Sequence, residues 1–236
     1  MRFTLTRRLA GALAATAAIT ACSSASAGSG TAPAPVAQGE QAAIARARAD
    51  SLRYPYTQAD IDFMSGMIAH HSQAIVMAKW APSHGASASI QTLCARIINA
   101  QRDEIHLMQS WLRARNQAVA PADTITGLGM MTMHGTTHQM LMPGMLTEAQ
   151  LKELDQARGE QFDKLFLKFM IQHHQGAVGM VTDLFGTTGA AQDELTFKLA
   201  NDISADQTTE IARMQKMLVA LAFGIDTAGQ PATSNP

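Results

Sequence analysis

Apolar side chains recur every three or four residues through four long stretches of this chain, and that period predicts helices rather than strands. At about 100° per residue, Met64, Met67, His71, Ala74 and Ala78 fall on one arc, and Asp62, Ser65, Ala69 and Ser72 fall opposite. His71 sits at the middle of the arc. His70 lies on its flank with Phe63, Gly66 and Met77, which makes it the more accessible of the pair. Thr57 with Asp60 resembles a capping box, so this helix is expected from near Gln58 to about Trp80, ended by Pro82 and Gly85. A second helix fits about Ala86 to Arg115, with Leu93, Ile97, Gln101, Glu104, Ile105, Met108, Trp111 and Leu112 sharing a stripe. Thr147 and Gln150 cap a short helix to about Gln156, and Gly159 weakens continuity into a third main helix, about Glu160 to Leu184. The fourth is expected from about Ala190 to Phe223.

These stripes are copies of one another. Met67-Ile68-Ala69-His70-His71 returns as Met170-Ile171-Gln172-His173-His174, each following an Asp and a Phe at matching offsets. Ile97, Gln101, Glu104, Ile105, Met108 and Leu112 return as Ile203, Gln207, Glu210, Ile211, Met214 and Leu218. Each half is therefore a His-His helix followed by a Gln-x-x-Glu helix, and two such hairpins bury their stripes against each other. The expected fold is all-α, a four-helix bundle made of two repeated helical hairpins joined by a long Met- and His-rich crossover.

Composition adds limits. Of 236 residues, 47% are hydrophobic and 5% aromatic, enough for a core but poor in strand formers. A formal charge of −1 suggests no nucleic-acid surface. Residues 1–21 read as a lipoprotein signal peptide: Arg2, Arg7 and Arg8, then an apolar run, then Ile19-Thr20-Ala21-Cys22 as a lipobox that would acylate Cys22. Ordinary secretion with cleavage near Ala27 is the alternative. Thr6-Arg7-Arg8 hints at twin-arginine export. Residues 22–55 form a Ser-, Ala-, Gly- and Pro-rich tether with a helical lead-in, 56–223 the duplicated domain, and 224–236 a disordered tail. The expectation is an exported protein held by its lipid on the periplasmic or extracellular side. Cys94 is left as a lone thiol and is expected in the core.

Packing the four stripes inward would bring His71, His174, Glu104 and Glu210 toward a pseudo-two-fold axis, with Met67, Met170, Met108 and Met214 around them. Such a set can hold a metal ion, or it can be a dry His–Glu network that fixes register. His70 and His173 complete the candidate donors, while His84 and His106 are expected at the surface. The crossover, residues 116–146, carries Met130, Met131, Met133, His134, His138, Met140, Met142 and Met145. Thioether favours Cu(I) and imidazole serves both copper oxidation states, so the loop suits exported copper; equally it can plug the open side of the bundle. Met142-Pro143-Gly144-Met145 reads as a turn.

In combination, the paired Phe-x-x-x-Met-Ile-x-His-His-x-x-Ala and Gln-x-x-Glu-Ile-x-x-Met segments, the Met-Pro-Gly-Met link and Phe162-Asp163 resemble the domain-of-unknown-function 305 family from about Tyr56 to Phe223. The resemblance implies a ferritin-like, exported bundle whose members include a copper-binding protein. It carries metal-binding roles to His70, His71, His173, His174, Met67 and Met170. Gly176 stands where the first copy has Gln73, so the halves need not bind alike. The leading expectation is a copper-binding or copper-buffering lipoprotein, Cu(I) or Cu(II), with a copper-transfer protein as partner. A ferritin-like di-metal oxidase is the alternative, disfavoured because no Glu-x-x-His occurs: Leu107 and Arg213 stand at those positions. A non-catalytic bundle with a structural His/Glu network is the third.

Overall fold

The computed structural model describes residues 39–46, 49, 55–119, 121–123, 127, 130–133, 136–139 and 141–225. The proposed signal peptide, Cys22 and the tail from residue 226 lie outside them, as do His134 and Met140. Residues 39–46 are helical. The main elements are α1 (Gln58–Lys79), α2 (Ala88–Ala114), β1 (Met130–Met133), β2 (Thr136–Gln139), α3 (Glu148–Gln156), α4 (Gly159–Gly186) and α5 (Glu194–Phe223). Helices α1 and α2 form one hairpin and α4 and α5 the other, and the two His-His helices cross at the centre. Among the described residues no helix is long and apolar enough to cross a membrane.

Local chemistry sets the helix ends. The Asp60 carboxylate accepts from the Thr57 backbone N–H at 2.7 Å and its hydroxyl at 2.8 Å, and Thr147 with Gln150 repeats the box at α3. The fourth main helix begins at Glu194, four residues later than the apolar pattern predicts. Asp193 is its N-cap, accepting the Thr196 N–H at 3.0 Å, and Ala191 has a left-handed φ of 54°.

The repeat is also a device for joining its halves. Asp60, on α1, takes the Ala191 N–H of the α4–α5 turn at 2.7 Å. Its counterpart Asp163, on α4, takes the Ser87 N–H of the α1–α2 turn at 3.2 and 3.3 Å. Each His-His helix thus caps the turn of the opposite hairpin, which satisfies backbone donors that burial would otherwise orphan.

Three further expectations about the fold need correction. Helix α1 is buried on every side from Phe63 to Ala78, Ser65, Ala69 and Ser72 included. The amphipathic reading allowed for a solvent face, but the crossover covers it, β1 packing against α1. Small residues at 65, 66, 69 and 72 leave room for that cover. Second, the crossover is not all loop: Met130–Met133 pairs antiparallel with Thr136–Gln139, Met131 opposite His138. Third, His84 is buried, not at the surface. Its Nε2–H donates to the Asp155 carbonyl at 2.9 Å and lies 3.1 Å from the Asp155 carboxylate, while the Ser83 hydroxyl meets Nδ1 at 2.9 Å. His84 thereby pins the end of α3 to the α1–α2 turn. His106 is exposed, as expected.

Two apolar clusters fill the bundle, one on each side of its middle. One holds Met67, Ile105, Met108, Leu112, Val181 and Ile203. The other holds Met77, Ile97, Phe162, Phe166, Met170 and Met214. Between them runs a polar layer: His70 and His71, Gln101 and Glu104, His173 and His174, Gln207 and Glu210. Cys94 belongs to the second cluster, and burial, then the nearby Asp163, pushes its thiol up to about 12.

Candidate metal centre

The polar layer exists because each His-His pair sits mid-helix, where both neighbouring helices and the crossover enclose it. All four imidazoles are fully buried, so His70 and His173 are not the accessible members that their flanking positions predict. His71 Nε2 lies 2.7 Å from Glu104 Oε2, and His174 Nε2 lies 2.7 Å from Glu210 Oε2. His70 Nε2 lies 3.0 Å from the Pro143 carbonyl, and His173 Nε2 lies 3.0 Å from the carbonyl of His70. The His70 and His173 rings are 3.7 Å apart between centroids.

Every one of those partner atoms is an acceptor, so the proton is assigned to Nε2 in all four rings. Nδ1 is then left over. In His70, His71, His173 and His174 alike it is buried and has no protein partner. A buried, unpaired polar atom costs about 1–3 kcal/mol, and four at one level of the core is a concentration that a purely structural network would avoid. His70 is held neutral down to about 3, first by desolvation and then by its neighbour His71; desolvation also pulls His173 well below its ordinary value, helped by His70, His174 and His71. Neutral Nε2–H rings present Nδ1 as a lone pair.

Soft donors flank the layer. Met67 and Met170 each precede the second histidine of their pair by four residues, one helical turn, and Met108 and Met214 stand one turn beyond Glu104 and Glu210. All four methionines are fully buried. Among the described residues, no group of three or more His, Cys, Asp or Glu is arranged to hold a metal ion by itself. Ligation here would need thioether sulfur beside imidazole.

Glu104 and Glu210 are not at the dry centre. Their side chains keep 13% and 22% of their exposure and touch the imidazoles from outside. Gln101 and Gln207, one turn away, are buried with unpartnered amide atoms; the repeat revealed both, but reading them as helix-stripe residues hid their place in the polar layer. In the crossover, Met142 and Met145 are core residues, and the Met142 N–H donates to the Met145 sulfur at 3.3 Å. The Met145 N–H donates to the Met142 carbonyl at 3.0 Å and Gly144 has φ 78°, so the expected turn is present. For Met130, Met131, Met133 and His138 the structure describes the paired backbone.

One pH effect follows from the buried rings. The folded pKa values of His70 and His173 lie below the unfolded value of 6.5, so below that pH the unfolded chain binds more protons than the folded one. Stability is expected to fall as pH drops from 6.5 to about 5, with a slope approaching roughly 1 kcal/mol per pH unit for each histidine. Urea midpoints across that range check it, and a His70→Gln, His173→Gln double variant should flatten the curve.

A family profile described as domain of unknown function (DUF305) matches residues 60–218. The uncharacterized protein L153 of Acanthamoeba polyphaga mimivirus is 44% identical over 62 residues, a match spanning 25% of this chain and 41% of that protein. A crystal structure of a DUF305 protein from Streptomyces coelicolor, assigned as secreted, superposes with a TM-score of 0.58 at 25% identity, covering 70% of this chain and 92% of its own. CopM in its Cu(II)-bound form superposes with a TM-score of 0.52 at 30% identity, covering 68% of this chain and 95% of its own, and CopM has also been solved with Cu(I).

Proposed function

The chain belongs to the DUF305 family, and from that premise we propose that its core binds copper outside the cytoplasm, as a carrier or buffer rather than a catalyst. The observation that carries the reading is the set of four buried Nδ1 atoms without protein partners, flanked by four buried methionine sulfurs. Imidazole with thioether is a donor set for copper, above all Cu(I), and unlike the oxygen sets of magnesium or calcium. Likeness to CopM, solved with Cu(I) and Cu(II), supports the choice of metal.

The donor chemistry also divides the roles. A histidine that ligates through one nitrogen ordinarily gives its other N–H to a carboxylate or carbonyl, which orients the ring and raises its basicity. His71 with Glu104 and His174 with Glu210 have that form, as do His70 and His173 with their carbonyls. Nδ1 of these rings and the sulfurs of Met67, Met108, Met170 and Met214 would therefore be the ligands, and Glu104 and Glu210 the groups behind them. Copper bound there supplies a thiophilic ion held away from water, and the protein's own part is to fix the tautomers and exclude solvent. The crossover residues Met130, Met131, Met133, His134, His138 and Met140 would supply further donors for copper in transit to a transfer partner. Cys22, acylated, would hold the protein at the envelope; the family likeness to a secreted protein supports export.

A dry structural network is the competing reading, and the four orphaned nitrogens count against it. The di-metal alternative loses support because Leu107 and Arg213, where it needs histidines, are both exposed.

Thermal unfolding with Cu(I) under reductant, beside a chromophoric-chelator competition, tests the proposal. Copper at a hundred times its dissociation constant is expected to stabilise the fold by about 2.7 kcal/mol, and a His71→Gln, His174→Gln double variant should bind at least about tenfold more weakly while remaining folded. Unchanged melting with both Cu(I) and Cu(II) would refute it.

A further inference from the structure

The repeat builds a cleft twice. One end of the seam between α2 and α5 holds a hollow of about 480 Å³, and the other end holds one of about 590 Å³. The offset that relates Ile97 to Ile203 also relates their linings. Leu93 and Met217 of the second cleft stand where the first has Leu199 and Trp111, while Arg96, Arg213 and Lys216 stand where it has Asp202, Leu107 and Ser110. The first cleft is mostly apolar and is covered by the chain itself: Ala43 and Ile44 of the helical segment 39–46 lie in its wall, and Glu40 of that segment reaches Arg113 at 3.4 Å. Lys198 and Asp202, one turn apart on α5, neutralise each other there. In the second cleft that pair is gone, because Thr92 replaces Lys198 and Arg96 replaces Asp202. Three cations and no carboxylate line it, and every lining residue belongs to α2 or α5. Among the described residues, the side chains of Arg96, Arg213 and Lys216 make no ion pair or hydrogen bond. Glu210 lies one turn before Arg213, but its carboxylate is on His174, and Asp163 is taken by the Ser87 N–H.

We propose that this second cleft is an anion site, separate from the metal centre, that takes a phosphate group carrying at least two negative charges. In a chain of formal charge −1, three unpaired cations around one hollow repel one another, and a bound anion relieves that repulsion. Arg96 on α2 and Arg213 on α5 present guanidinium forks from facing helices, the geometry that suits the oxygens of phosphate, and Lys216 adds a point charge. The Thr92 and Thr209 hydroxyls donate to the Ala88 and Ala205 carbonyls, so the donors left for a ligand are the three cations. The volume falls within the roughly 300–1,000 Å³ of small-molecule sites, which leaves room for an organic remainder against Leu93 and Met217. An apolar helix like the one over the first cleft does not suit the second, because it would bury three charges without partners.

Calorimetric titration of the full, metal-free chain with inorganic pyrophosphate at low salt tests the site, beside flotation on phosphatidylglycerol and on phosphatidylcholine vesicles. Pyrophosphate is expected to bind at one site, at least about tenfold more weakly in an Arg96→Gln, Arg213→Gln double variant, and more weakly as salt rises. Thr92→Glu, which sets an acid one turn before Arg96 and removes no cation, should weaken binding in the same direction. Lys152→Gln, on α3, is the control and should bind normally. All four altered side chains are exposed, so the variants should fold, and circular dichroism checks that they do. Flotation that prefers phosphatidylglycerol and depends on the two arginines would assign the phosphate to a lipid headgroup, and pyrophosphate binding without it would assign a soluble phosphate compound. Absence of both, or pyrophosphate binding that the double variant leaves unchanged, would overturn the site.

Discussion

Replacing Gly176 with alanine is expected to lower unfolding stability by about 3 kcal/mol or more, a fall of roughly 6–12 °C in Tm for a domain of this size. A Cβ at that position would lie 1.9 Å from the Pro143 carbonyl oxygen and 2.6 Å from the Gly144 Cα. Both are backbone atoms, so no side chain can turn away. Either the Met142-Pro143-Gly144-Met145 turn lifts off α4 or α4 itself shifts, and each outcome breaks the His70 to Pro143 hydrogen bond. Gly179, three residues on in the same helix, has open space where its Cβ would be. Gly179→Ala should therefore be neutral or stabilising by up to about 1 kcal/mol. Differential scanning calorimetry of the two variants makes the comparison, and equal melting temperatures would show that the turn does not depend on that glycine.

Asp193→Ala is expected to be costlier still, about 4–6 kcal/mol: 3–5 for leaving a buried charge unpaired and about 1 for a lost helix cap. Arg115 and Asp193 form an ion pair with neither side chain exposed. Asp193 also takes the Trp111 indole N–H at 2.9 Å and caps α5, while the Arg115 guanidinium lies 4.1 Å over the Trp111 ring. One carboxylate therefore joins the end of α2 to the start of α5. Because a buried pair is worth little net, removing both charges should hurt less than removing one. An Arg115→Met, Asp193→Asn double variant keeps a capping side chain and should recover more than half of the loss. Chemical denaturation of the single and double variants checks this, and additive losses would contradict it.

Much of this architecture was legible because the chain states it twice. The repeated His-His and Gln-x-x-Glu stripes placed four helices and paired the right elements, and Thr57 with Asp60 and Thr147 with Gln150 located two helix starts. What period alone could not show was a third layer of contact. Ser65, Ala69 and Ser72 read as a polar face because one amphipathic arc implies one buried side, yet the crossover buries the other. His84 reads as a surface residue for want of any pattern around it; its burial depends on Asp155, 71 residues away. Asp193 and Thr196 carry a recognisable N-cap spacing, but the apolar Ala190 and Ala191 beside them drew the helix start too early. The substitution of Gly176 for Gln73 was visible as an asymmetry between halves, and its meaning is packing: the glycine admits the turn, while the glutamine ties down Gly127 and Leu146 of the crossover.

On this proposal, four buried imidazoles, protonated at Nε2, offer Nδ1 lone pairs to copper among methionine sulfurs. Nitrogen-15 NMR of the histidine rings, recorded on the apo chain and again with one equivalent of Cu(I), tests it most directly. The Nε2–H tautomer is expected for His70, His71, His173 and His174 in the apo protein, with a copper-dependent shift at Nδ1 of His71 and His174 while their Nε2 protons stay in place. Nδ1–H tautomers in the apo chain, or ring resonances of all four histidines unmoved by copper, would contradict it.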